Sequence, residues 1–206
     1  MSLNVIKHPL ILDKLTKMRC KNTDTKHFRE NLDAITKLMI FEIFKNLELD
    51  EFEIETPVAK TTGYGLSKKI NLFPILRAGL GMVNGFLDLL PNVNIGHIGM
   101  HRDEKTLEPV EYFFKNPDLN NSISVVLDPM LATGGSASLA IEKLEKITKN
   151  KIILVAIVGS PEGVDYIQKH HPKVDIYLAS KDEKLNKKGY IVPGLGDAGD
   201  RIFGTK

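Results

Sequence analysis

The 206-residue chain is predicted to be an α/β protein, with a mostly parallel central sheet flanked by helices. Two observations predict it. The apolar runs INLFPIL, NIGHIGM, ISVVLD, KIILVAIVG and VDIYLAS alternate with segments that suit helices, the rhythm of buried parallel strands joined by crossovers. One run, Val125-Val126-Leu127, ends in Asp128, passes through a loop of small and hydroxyl residues, and enters the apolar-periodic segment SASLAIEKLEKI. That is a strand, a tight loop and a helix in direct succession.

The remaining elements follow in chain order. From Asp24 to Leu47 the residues Phe28, Leu32, Ile35, Leu38, Met39, Phe41 and Ile43 recur mostly at helical spacing, so a helix starts near Asp24 and covers the core or a neighbouring subunit. Glu51 to Lys60 alternates, with Phe52, Ile54, Thr56 and Val58 on one face and glutamates on the other, as a half-buried strand does. Gly63 and Gly65 are expected to end it. The stretch RDEKTLEPVEYFFKNPDLNNS after Met100-His101 is too charged and turn-rich for a core strand, and reads as an extended arm or loop. The tail GYIVPGLGDAGDRIFGTK is too irregular for a strand or helix. Tyr190, Ile191, Val192, Leu195, Ile202 and Phe203 are nevertheless costly to leave in water, so it packs as an ordered loop. The expected organisation is one domain over residues 1–206, with 1–65 as a packing and oligomerisation appendage and 66–206 as the core.

Composition narrows the chemistry. Twenty-eight basic against 26 acidic residues leave a formal net charge of +2, far from the basic stripe of a nucleic-acid-coating protein. No nucleic-acid partner is expected, and any phosphate must be held by a local site. The single cysteine, Cys20, cannot form an intrachain disulfide, and Cys/His spacing of a metal cluster is missing, so a reducing, cytoplasmic setting and no protein metal site are expected. No stretch approaches the roughly 18 apolar residues of a membrane span, and MSLNVIKHPLILDKL carries no signal-peptide pattern, so a soluble protein with no membrane partner is expected.

The loop after Asp128 can bind a phosphate dianion, because partnerless backbone N–H groups and the positive end of a helix dipole converge at such a turn. Gly134 and Gly135 permit close backbone approach, and Thr133, Ser136 and Ser138 can donate hydroxyl hydrogen bonds. The spacing is neither GxxxxGK[ST] nor GxGxxG. Taken alone, the loop is equally compatible with an ordinary turn whose Thr and Ser cap the helix.

An apolar strand, an acid and a loop containing TGG make the chain similar to the type I phosphoribosyltransferases. It departs from their general pattern by carrying Asp128-Pro129 where most have two adjacent acids. That departure, with KHPL near the start, PILRAGLGM at 74–82, GMHRDEKTLEP at 99–109, DPMLATGGS at 128–136 and GYIVPGLGDAGDRIFGTK at 189–206, resembles the uracil phosphoribosyltransferase family over the whole length. The resemblance implies a type I phosphoribosyltransferase-like sheet with an extended β-arm and a C-terminal base-binding loop. It implies transfer of the phosphoribosyl group of PRPP to uracil, giving UMP and pyrophosphate.

The resemblance also implies the site. Arg77, Arg102 and Asp128 would carry catalysis. PRPP would be bound by Arg77, Arg102, Asp128, Pro129, Met130, Leu131, Ala132, Thr133, Gly134, Gly135, Ser136 and Asp197. Uracil would be read by Ile191, Gly196, Asp197 and Ala198. Uracil offers acceptor, donor and acceptor along one edge, which backbone groups can match; cytosine reverses two of them and would leave buried polar groups unpaired. Magnesium would arrive mainly on PRPP, GTP is a candidate effector, and a homodimer or larger homo-oligomer is expected. His101 is not read as an acid or base, since the family commonly carries a non-imidazole aromatic there. His8, His27, His97, His170 and His171 are read as structural or surface residues without a partner. The alternatives are a phosphoribosyltransferase for another base, which the tail argues against, a same-fold nucleotide-sensing regulator that binds RNA, which the net charge of +2 without Lys/Arg clusters argues against, and a silent module, which the arginines and TGG loop argue against.

Overall fold

The computed structural model describes residues 2–102 and 109–205; the side chains of His101, Arg102 and residues 109–111 also lie outside that description. In chain order the elements are β1 (Leu3–Val5), α1 (Pro9–Arg19), α2 (Thr25–Phe44), β2 (Leu49–Glu55), β3 (Lys60–Leu66), β4 (Lys69–Leu76), a 3-10 turn (Ala78–Met82) and α3 (Val83–Leu89). They continue with β5 (Asn94–Ile95), β6 (His97–Arg102), β7 (Pro109–Lys115), β8 (Ser122–Leu127), β9 (Met130–Leu131), α4 (Gly135–Ile147) and β10 (Ile152–Gly159). Last come α5 (Pro161–His170), β11 (Asp175–Lys181), β12 (Lys184–Leu185), β13 (Ile191–Val192) and α6 (Ala198–Phe203).

The main sheet runs β1-β11-β10-β8-β4-β6-β7, with β5 beside β4 and β9 beside β10. Every pairing in it is parallel except that of β7, which returns antiparallel along β6. The predicted class therefore holds, and each predicted apolar run lies on the sheet. β8 and β10 are buried at every position, which is why their sequences are unbroken apolar runs rather than alternating ones. Successive residues serve opposite faces. Val125, Leu127, Val155 and Ile157 join the layer filled by α1, α2 and α3, whereas Val126, Leu154 and Ala156 join the layer filled by α4 and α5.

The N-terminal region is not an appendage throughout. β1 extends the sheet beside β11, and Ile11, Leu15, Phe28, Leu32 and Ile35 are core residues. The helix expected from Asp24 begins there: Asp24 accepts a hydrogen bond from the His27 N–H at 2.9 Å and caps α2.

Only the β2–β3 hairpin fits the appendage description. It requires a correction, because β2 ends at Glu55 and the expected strand runs instead into a turn in which the Thr56 hydroxyl accepts from Val58 and Ala59 N–H at 3.2 and 3.0 Å. β2 is exposed at every residue, not half-buried. Gly63 and Gly65 lie within β3 rather than ending a strand. A Cβ on Gly63 would meet Ile54 Cγ2 at 2.8 Å, so the glycines make room for cross-strand side chains. The charged arm also contains a strand, β7, whose Phe114 packs on the α4–α5 side of the core. Residues 103–108 lie outside the described residues.

Candidate active site

The carboxyl ends of β4 and β8 meet, since Pro74 pairs with Leu127 in the last rung of their ladder. Arg77 and Asp128 follow immediately, at the edge where open parallel sheets bind ligands. The Leu76–Arg77 peptide bond is cis. β6 ends beside them at Arg102, placing that residue's backbone on the adjoining strand. Gly79 closes the corner: a Cβ there would sit 2.4 Å from the carbonyl oxygen of Leu127.

These residues border a cleft of about 500 Å³, completed on its other side by the tail. Arg77, Asp128, Met130, Ala132 and Ser136 line it from the sheet side, and Ile191, Gly196, Asp197 and Ala198 from the tail side. Two segments far apart in sequence are thus brought together. Pro129 and Leu131 go elsewhere, because both are buried and Leu131 belongs to the core. Their carbonyls face the body of the fold. Pro129 O accepts from Ile157 and Val158 N–H at 3.1 Å each, and Leu131 O from Ser160 N–H at 2.9 Å. Thr133 is exposed, and Gly134 turns the chain at φ +84° to start α4 at Gly135.

Among the described residues no side chain caps α4. By contrast α1, α2, α5 and α6 are capped by His8, Asp24, Ser160 and Asp197. Neither Thr133 nor Ser136 caps α4 in this structure, so its first-turn N–H groups have no side-chain acceptor among the described residues. Ser138 is a correction. Its hydroxyl lies 2.7 Å from Nε2 of His171, whose Nδ1 is 2.9 Å from Glu145, so it ties α4 to the end of α5 instead of serving a phosphate. His171, expected to lack a partner, is buried with two.

Burial pushes the Asp128 carboxyl up to about 6, and the Met130 N–H it accepts at 3.1 Å only partly offsets this. Asp197 caps α6 by accepting from the Asp200 N–H at 2.9 Å, and Asp200 in turn lies 3.6 Å from Arg77. Among the described residues no group of three His, Cys, Asp or Glu is placed to hold a metal. Two carboxylates in a cleft suit a hydrated cation carried on a ligand's own oxygens better than a protein cage.

Ala78, expected beside Arg77 for close backbone approach, lines the cleft; sequence reasoning missed Lys188, Gly189, Tyr190 and Gly199, which also line it. The signal was adjacency to Ile191 and Ala198 in the tail. Lys188 stands on a turn organised by Asn186, whose side-chain oxygen accepts from Lys188 and Tyr190 N–H at 2.8 and 3.0 Å. No ion pair of Lys188 is found among the described residues.

The sheet and its flanking helices are those of the type I phosphoribosyltransferases. The orotate phosphoribosyltransferase of Mycobacterium tuberculosis, solved with PRPP, superposes with a TM-score of 0.52 over 84% of this chain and 90% of that one, at 10% identity. At that distance only the fold is shared. Sequence decides the branch: the family model described as uracil phosphoribosyltransferase matches residues 5–205. The uracil phosphoribosyltransferase of Malacoplasma penetrans is 58% identical over 203 residues, 98% of each chain. That of Bacillus thuringiensis is 58% identical over 206 residues, 99% of each. The AQ2163 protein of Aquifex aeolicus has a TM-score of 0.94 and 36% identity over 99% of both chains. The chain belongs to the uracil phosphoribosyltransferase family.

Proposed function

We propose that the chain transfers the phosphoribosyl group of PRPP to uracil, giving UMP and pyrophosphate, in the cleft between the 128–136 loop and the 189–199 tail. The observation that carries this reading is the convergence of an uncapped helix start, a strand-end acid and arginine, and a glycine-rich tail on one cleft. Displacement at the anomeric carbon passes through an oxocarbenium-like state, with positive charge on the ribose and negative charge on the departing pyrophosphate. The α4 N-terminus with Ser136 holds the 5′-phosphate, Asp128 accepts from the ribose hydroxyls, and Arg77 and Arg102 neutralise the pyrophosphate. If bound on PRPP, magnesium would supply further positive charge to the leaving group beside Arg77 and Arg102. Backbone groups of Ile191, Gly196 and Ala198 read the uracil edge, holding N1 in line with the sugar carbon. An assay with PRPP, magnesium and a panel of bases, with and without GTP, tests the reading. UMP from uracil alone is expected; no UMP would refute it.

Asp128 gives this site a pH signature. Its pKa in the folded chain, about 6, lies above the ordinary carboxylate value, so the folded state holds the proton more tightly than the unfolded one. The contribution of Asp128 to stability therefore falls as pH rises from about 4 to about 6 and is constant above. Ribose binding needs the ionised acceptor, so kcat/KM for PRPP should decline as pH falls below about 6. Asp128→Asn should raise KM for PRPP and lose that component of the profile, keeping only the titration of the substrate phosphate, which also lies near 6. Equal PRPP affinity by calorimetry would remove Asp128 from the ribose site.

Oligomerisation belongs to the same proposal. The β2–β3 hairpin carries Phe52, Tyr64 and Leu66 at 51%, 62% and 48% exposure, apolar surface that the chain itself leaves uncovered and a second copy would cover. Among the described residues no helix is long and apolar enough to cross a membrane.

A further inference from the structure

We propose that Arg19 and Asp182, neither of which lines the cleft, are positioning residues that hold the base-reading tail in register and so set the discrimination between uracil and cytosine. This rests on the function proposed above. Arg19 is the last residue of α1, and Asp182 follows β11. Their side chains meet as a two-pronged pair, Nη1 donating to Oδ2 at 2.7 Å and Nη2 to Oδ1 at 2.6 Å. The Asp182 side chain is 2% exposed and that of Arg19 23%.

The pair grips a single residue of the tail from both sides. Asp182 Oδ2 accepts from the Gly194 N–H at 2.9 Å, while Arg19 Nη1 donates to the Gly194 carbonyl at 2.6 Å. Ser180 completes the network, its hydroxyl accepting from Arg19 at 3.1 Å and donating to Asp182 at 2.7 Å. The Asp182 N–H is itself anchored to the Gly159 carbonyl at 2.8 Å, on the central strand β10. Burial alone would raise the Asp182 carboxyl, but hydrogen bonds from Arg19 and Ser180, the Arg19 charge and the Gly194 N–H hold it below the ordinary carboxylate value. The ionised pair is thus the resident state at neutral pH.

Gly194 lies between Ile191 and Gly196, the uracil-reading residues on either side of it, and turns at φ +61° where side chains rarely go. A tail built from glycines has little rigidity of its own. Its backbone donors and acceptors can reject cytosine only if they cannot rotate to suit it, because discrimination depends on leaving the wrong base unpaired. The Arg19–Asp182 grip supplies that stiffness from the core. The 128–136 loop is held by separate bonds to β10 and Ser160, and Asp197 is fixed by its own cap on α6, so PRPP binding depends on the grip far less than uracil binding does.

The test compares the wild-type chain with Asp182→Asn and Arg19→Lys, the second keeping the charge but losing the planar fork. Steady-state constants are measured for uracil and PRPP separately, with cytosine as a competitive inhibitor. Asp182→Asn is expected to raise KM for uracil about tenfold or more and to narrow the gap between uracil KM and cytosine Ki, with KM for PRPP within about twofold of wild type. Arg19→Lys should shift the same constants in the same direction by less. If Asp182→Asn does not fold, the Arg19→Lys result decides. KM values for uracil and PRPP that rise together, or that both stay unchanged, would overturn the inference while leaving a UMP-forming wild type intact. A wild-type chain that makes no UMP would overturn the function and this inference with it.

Discussion

Replacing Arg77 with alanine should lower kcat by about two to three orders of magnitude, the loss typical of one preorganised donor to a developing negative charge. The substitution should leave the fold standing. The Arg77 side chain is 58% exposed, its ion pair with Asp200 is long at 3.6 Å, and its guanidinium is 6.0 Å from the Phe203 ring centroid. Contacts of that kind contribute little to stability in water. On the proposed function the charge acts when the cleft holds pyrophosphate, and most when the bond to the sugar is breaking. Arg77→Lys should recover part of kcat, since a point charge remains but the two-pronged grip does not. Thermal unfolding and steady-state kinetics on the same samples check both halves. Wild-type turnover in Arg77→Ala would remove Arg77 from the leaving-group site. Arg102, at the end of the adjoining strand, should behave similarly.

Gly79→Ala is expected to damage stability and activity together. The added Cβ would stand 2.4 Å from Leu127 O and 3.0 and 3.1 Å from Pro74 Cα and C. All three are backbone atoms of adjacent central strands, so no rotamer change relieves the overlap. β4 and β8 must separate at the point where one leads to Arg77 and the other to Asp128. Overpacking of this kind costs about 1–3 kcal/mol or more. At this chain length each kcal/mol lowers Tm by about 2–4 °C. Activity measured well below Tm should also fall, because Arg77 and Asp128, the two groups proposed to meet PRPP, no longer hold their spacing. Gly81→Ala is the control: its Cβ would meet Leu32 Cδ2 and Ile202 Cδ1 at 2.8 and 2.9 Å, side-chain ends that can turn aside. A Gly79→Ala protein with unchanged Tm and kcat would contradict the packing account.

Several elements could be read because a local signal and a tertiary one agreed. β8 and β10 are buried on both faces, so their apolar runs are unbroken. Asp24 caps α2 and also marks where the apolar spacing begins. The hairpin misled because its alternation answers to no core face within the chain, and because glycines that normally end strands here accommodate Ile54 and Phe52. β7, which the resemblance implied as part of a β-arm, was obscured in the local reading by the charged and turn-forming residues that flank it in sequence. Ser138 could not be separated from Thr133 and Ser136 by type, since only the approach of His171 draws it away.

The sequence by itself determined the parallel α/β class, the strand-loop-helix unit after Asp128 and, through five motifs spread over the chain, the family. These depend on burial patterns and residue identities that are local in the chain. Only the tertiary structure decided that α4 is uncapped, that Asp128 lies deep enough for its carboxyl to rise to about 6, and that Arg19 and Asp182 share the Gly194 peptide. Each of these depends on which distant segment supplies, or fails to supply, a hydrogen-bond partner. That pairing is set by packing across the sheet, which no local stretch of sequence records.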